Sequence, residues 1–151
     1  MKYLNSDEFF NRLFERYKTN RNGWFYNNLP EVFGCEPYTI PANIALDLLV
    51  AKCIRIIDIL EESYPLYVFN EGPDGWKHLK DNDSSPLQVN DAEELQDILQ
   101  NHIYFQHPDG CNDNYSITNQ NLDWFIVFCH HADWHFYAPT EMIDKVKKVD
   151  F

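Results

Sequence analysis

Between Asp81 and Asp144 the chain contains no lysine and no arginine, while it carries twelve carboxylates there. Nucleic-acid binding depends on basic side chains that neutralise phosphates, and this span offers none. The same lack disfavours anionic membrane surfaces. Glycine is scarce too: five residues, at positions 23, 34, 72, 75 and 110. No G-x-G-x-x-G or P-loop can be assembled from them, which excludes the common nucleotide-binding devices. The segment Asp109 to Asp113 lacks the ligand spacing and closing Glu of an EF-hand loop. No G-x-S-x-G elbow is present. The four cysteines, Cys35, Cys53, Cys111 and Cys129, form no C-x-x-C pair, so zinc-ribbon and thioredoxin-like motifs are absent. No apolar run approaches the ~20 residues of a membrane-spanning helix. The first eight residues turn acidic before a signal-peptide core can form, and the expected compartment is a reducing cytoplasm.

What is present is a chain of 151 residues with 44% hydrophobic and 16% aromatic side chains, enough for one well-packed core and too aromatic for disorder. The reading is a single globular domain over 1–151. Lys and Arg total 12 against 24 Asp and Glu, for a net charge of −12. Residues 1–21 hold five basic and three acidic side chains, and residues 145–151 hold three basic and one acidic. Both ends are therefore mildly basic, and the middle is more acidic than the whole. Such a field attracts basic partners and also keeps a protein soluble.

Along the chain, Asn5 followed by Glu8 reads as a capping box, and Phe9, Phe10, Leu13, Phe14 and Tyr17 form one helical stripe. Trp24 to Tyr26 reads as a short strand, and the Pro-rich residues 27–41 as loop. Residues 42–63 predict a long central helix opened by Pro41 and stopped by Pro65. Leu66 to Phe69 is strand-like, and Pro73-Asp74-Gly75 marks a turn before Trp76, which opens a second strand. Asn90 with Glu93 predicts a capped acidic helix over 91–100. His102 to Phe105 and Tyr115 to Thr118 read as strands. Asp123 to Cys129 reads as a strand buried on both faces, and Asp133 to Ala138 as its meander partner. Thr140 then caps a final helix with Met142, Ile143 and Val146 inward. The predicted class is α+β: N-terminal helices, including the long central one, packed on a mainly antiparallel sheet from the C-terminal half.

Several groups of residues can carry chemistry. On an extended strand His131, Asp133 and His135 face the same way, a half-site for zinc or iron that His107 and Cys111 can complete. A turn at 130–133 breaks that alternation and leaves a hairpin tip with one strand-face histidine. Cys129 and Cys111 lie in acidic surroundings that disfavour a thiolate nucleophile. The aromatics Trp24, Phe25, Tyr26, Trp124, Trp134, Phe136 and Tyr137 read as core more readily than as a ligand platform. Trp76, in a polar stretch, is the best candidate for an exposed interface anchor.

The block Asn121-Leu122-Asp123-Trp124-Phe125-Ile126-Val127-Phe128-Cys129-His130-His131-Ala132-Asp133 resembles the late hairpin of several small bacterial families. There, a strand with a D-W-hydrophobic run ends in a short His/Glu-His-x-Asp turn. These families are similar to the immunity-type proteins of bacterial toxin systems, SUKH-like and related. The resemblance implies a small, acidic, cytosolic α+β protein that neutralises a cognate toxin by binding, and it carries over no catalytic residue. The expectation is thus a non-catalytic module without a cofactor, binding a basic protein partner through Asp91, Glu93, Glu94, Asp97, Asp109 and Asp113 with Trp76 as anchor. The alternative is a metal-dependent hydrolase built on His131, Asp133 and His135 with His107 or Cys111. A third reading is a domain that packs within a larger assembly or a homodimer.

Overall fold

The computed structural model describes residues 2–17, 25–40, 45–70, 86–101, 115–128 and 133–148. Its elements are β1 (Lys2–Tyr3), α1 (Ser6–Tyr17), a 3-10 turn (Phe25–Asn28), α2 (Leu29–Phe33), β2 (Tyr38–Ile40), α3 (Leu46–Ile59), β3 (Leu66–Asn70), β4 (Leu87–Val89), α4 (Ala92–Asn101), β5 (Tyr115–Thr118), β6 (Phe125–Phe128), β7 (Trp134–Tyr137) and α5 (Thr140–Lys147). The strands form one seven-stranded sheet in the order β1-β4-β3-β5-β6-β7-β2, antiparallel throughout. The fold is α+β, and most of the sheet is C-terminal. Both edges, however, come from the N-terminal part: β1 pairs with β4, and β2 pairs with β7.

Helices cover both faces of the sheet. On one face, Leu49, Cys53, Ile56 and Ile57 of α3, Leu95 and Leu99 of α4 and Val146 of α5 pack against Ile117, Ile126, Phe128, Trp134 and Phe136. On the other, Phe9, Phe10, Leu13 and Tyr17 of α1 and Leu29 of α2 pack against Phe69, Phe125, Val127 and Tyr137. Successive side chains of a strand point to opposite faces, so β6 feeds both cores, and all four of its residues are buried. Each large apolar side chain removed from water in this way contributes roughly 1.5–3 kcal/mol before entropy is counted. Trp124, Trp134, Phe136 and Tyr137 are core.

Several local expectations are corrected. Phe25–Asn28 is a 3-10 turn and not a strand, and residues 27–41 hold α2 and β2 rather than plain loop. Pro30 sits in the first turn of α2, where a missing N–H costs nothing, and Gly34 closes the helix at φ 74°. The prolines that looked like loop punctuation are thus a helix start and, at Pro37, the approach to an edge strand. The central helix is shorter than 42–63. Ala45 is extended, and a Schellman motif ends the helix before Pro65. Glu61, at φ 56°, donates its N–H to Asp58 O (3.0 Å), and Glu62 N–H reaches Ile57 O (3.4 Å). On α4 the capping residue is Asp91, one place later than expected. Its Oδ1 accepts the Glu94 N–H, and Glu94 Oε2 accepts the Asn90 N–H, both at 2.8 Å. Thr140 is the first residue of α5; its cap position is Pro139, which makes no side-chain cap. The turn at 73–75 and the strands expected at Trp76 and at 102–105 lie outside the described residues.

A polar joint ties the helices to the β5–β6 connection. Arg12 donates to Gln120 O (2.8 Å), Arg16 to Asn121 O and Tyr17 Oη to Leu122 O, so α1 satisfies three consecutive carbonyls. Arg16 also pairs with Asp123 at 2.9 Å. From the opposite side of the sheet, Glu62 Oε1 accepts the Trp124 indole N–H (2.7 Å) and Asn119 Nδ2 (3.0 Å). Asn119 Nδ2 also donates to Asp123 Oδ2 (3.1 Å), and the Asp123 N–H donates back to Asn119 Oδ1 (2.8 Å). Asp123-Trp124, the pair at the heart of the resemblance, is therefore a structural junction between α1, α3 and the sheet.

Candidate protein-binding face

α4 folds as an amphipathic helix because Leu95, Ile98 and Leu99 recur at helical spacing and are all buried. That spacing leaves Glu93, Gln96, Asp97 and Gln100 on the solvent side, where all four are exposed. The four acids expected to meet a partner divide into two pairs. Asp91 and Glu94 serve the helix itself, and the Asn90 N–H holds the Glu94 carboxyl below the usual carboxylate range. Carboxylates at a helix N-terminus also meet the positive end of its dipole. Glu93 and Asp97 form the outward acidic face, with Asp97 Oδ1 accepting Asn101 Nδ2 at 2.8 Å. Trp76, Asp109 and Asp113 lie outside the described residues.

α3 runs beside α4 and extends this surface. Asp47, Val50, Ala51, Ile54 and Asp58 of α3 and Gln96 of α4 line an open groove of about 280 Å3. Its centre is apolar, and Asp47 and Asp58 stand at its two ends. Arg55, also on the lining, is its one cation. Among the described residues, Asp47, Arg55 and Asp58 enter no ion pair. Leu48, half exposed at 49%, adds an apolar spot on α3 outside the groove lining. In the sequence Asp47, Arg55, Asp58 and Glu62 recur at helical spacing as one polar face, but nothing there signals that α4 borders it.

Of the histidine–aspartate cluster, Asp133 and His135 are described, and His107, Cys111 and His131 lie outside the described residues. His135 is half-buried on β7, and its Nδ1 lies 3.0 Å from Thr39 Oγ1 on the edge strand β2. Burial pushes the His135 pKa below 6.5, and the nearby Asp133 carboxylate opposes the shift. Among the described residues, no three His, Cys, Asp or Glu side chains are grouped so as to hold a metal ion. Cys53 lies inside the core, where burial pushes its thiol far up, and Cys35 Sγ donates to Ala138 O at 3.2 Å. Neither has the electropositive, accessible setting of a nucleophile. No helix among the described residues is long and apolar enough to cross a membrane.

Comparison with protein-family models, with curated proteins and with solved structures finds no match to this chain.

Proposed function

We propose that the chain is a non-catalytic, cytoplasmic protein-binding module that captures a basic partner through the acidic face of α4, with neutralisation of a basic toxin as its most specific form. The observation that carries this reading is the division of labour on α4. Leu95, Ile98 and Leu99 hold the helix to the core and Asp91 and Glu94 close its N-terminus, while Glu93 and Asp97 face water without a basic residue anywhere on the helix. Cationic side chains near the sheet junction are engaged elsewhere, since Arg12 and Arg16 bond backbone carbonyls. An acidic face beside a basic partner accelerates encounter and is screened over a Debye length of about 8 Å at physiological salt.

The test is affinity capture from the native cell with mass-spectrometric identification, followed by reconstitution from purified components. Glu93→Lys/Asp97→Lys is the comparison, because neither residue caps the helix. The expected partner is basic, and its affinity falls roughly tenfold or more both on the double reversal and on raising salt from low to physiological. A purified complex insensitive to both changes would sink the proposal.

A further inference from the structure

The groove between α3 and α4 has a charge pattern as well as a shape. Asp47 and Asp58 are eleven residues apart, which is close to three full helical turns, so they lie on one line about 16 Å apart. Between them Val50, Ala51 and Ile54 supply an apolar floor, and Ala51 is small enough to admit an incoming side chain. Two carboxylates without an ion-pair partner among the described residues, set at either end of an apolar trough, complement an amphipathic helix with a cation at each end of its apolar stripe. Arg55 stands one turn before Asp58 on the same lining, so it repels a cation between the two carboxylates and makes Asp58 the weaker of the two seats.

We infer that the α3–α4 groove receives a basic amphipathic helix of a partner protein, with two Lys or Arg residues about three turns apart seated on Asp47 and Asp58 and small or branched apolar residues over Ala51. This rests on the reading of the chain as a binder of basic proteins and adds the secondary structure and charge register of what is bound. Helix-in-groove recognition of this type places its anchors at i, i+3, i+4 and i+7 spacing, matching the lining of the trough.

The experiment uses the full chain labelled with nitrogen-15 and two synthetic amidated helical peptides of Leu, Ala and Lys. One carries two lysines eleven residues apart flanking a Leu/Ala stripe. The other has the same composition with its lysines on opposite faces. The matched peptide is expected to shift the amides of residues 47–58 and of Gln96 and to bind at least roughly tenfold tighter than the scrambled one. Ala51→Arg, at an exposed position, removes that preference without changing the thermal midpoint, and Asp47→Lys/Asp58→Lys removes it through charge. Equal binding of the two peptides, no binding of either, or a preference that survives Ala51→Arg overturns the inference. If the preference is missing but Glu93→Lys/Asp97→Lys weakens the natural partner, the groove assignment falls and the α4 reading stands. If the natural complex ignores both sets of variants, both fall.

Discussion

Replacing Glu62 with alanine tests whether one carboxylate oxygen holds α3 to the sheet. Glu62 Oε1 accepts two hydrogen bonds, from the Trp124 indole at 2.7 Å and from Asn119 Nδ2 at 3.0 Å. Trp124 is fully buried, so its N–H loses its partner and has no route to bulk water. Asn119 is less affected, because Asp123 Oδ2 still accepts from it at 3.1 Å. A hydrogen bond to a charged group contributes about 1.5–3 kcal/mol, and an orphaned buried donor costs about the same, two descriptions of one loss. Adding a smaller amount for Asn119 gives about 3 kcal/mol for Glu62→Ala. For a chain of this size that lowers the thermal midpoint by roughly 6–12 °C. Glu62→Gln keeps an acceptor and is expected to cost about 1 kcal/mol. A double-mutant cycle with Trp124→Phe isolates the indole bond, with an expected coupling of at least about 1 kcal/mol. Urea denaturation followed by circular dichroism measures all four corners. The reasoning is refuted if Glu62→Ala costs less than about 1 kcal/mol or if alanine and glutamine are equivalent.

Three more outcomes follow from the same structure. Glu61→Gly should raise stability by about 0.5 kcal/mol, since it removes a left-handed backbone penalty larger than the entropy glycine adds to the unfolded chain; a lower denaturation midpoint would count against the Schellman assignment. His135 has a folded pKa below its unfolded 6.5, so the folded state binds fewer protons, and the stability it lends is complete above pH 6.5 and drains away as pH falls through the folded value. His135→Gln keeps a partner for Thr39 and should flatten the loss of stability as pH falls below 6.5, and an unchanged slope would show that His135 does not drive it. Cys53, buried and with its thiol pushed up, should resist iodoacetamide in the native state and label only after denaturation, as read by peptide mass spectrometry; native labelling at the rate of a small thiol would contradict its place in the core.

Legibility in the sequence followed periodicity. The stripe Phe9, Phe10, Leu13 and Tyr17 placed α1, and the unbroken run Phe125–Phe128 placed a strand buried on both faces, because these patterns are set by the chain's own geometry. The local chemistry around proline misled. Pro30 and Pro37 mark a helix start and a strand boundary as readily as a loop, and only the pairing of Tyr38–Ile40 with Trp134–Phe136 decides between them. Residues joined across the fold were out of reach. Glu62 and Trp124 lie sixty-two positions apart, and nothing in either neighbourhood announces the other. The acidic character of α4 was visible, but the assignment of Asp91 and Glu94 to capping depends on a one-residue shift in the helix start.

The order of the strands has a consequence for how the chain is made. α1 rests on Phe125 and on the carbonyls of Gln120, Asn121 and Leu122, and among the described residues β2 pairs with β7 alone. While the ribosome is still adding residues up to the end of α4, the emerged polypeptide can pair only β1, β4 and β3, which leaves much of the apolar surface of its helices uncovered. Strands β5, β6 and β7 then supply the rest of that floor. Until they leave the exit tunnel, the earlier half keeps apolar surface exposed, and a stop before Tyr115 is expected to yield an aggregation-prone fragment rather than a smaller version of the protein.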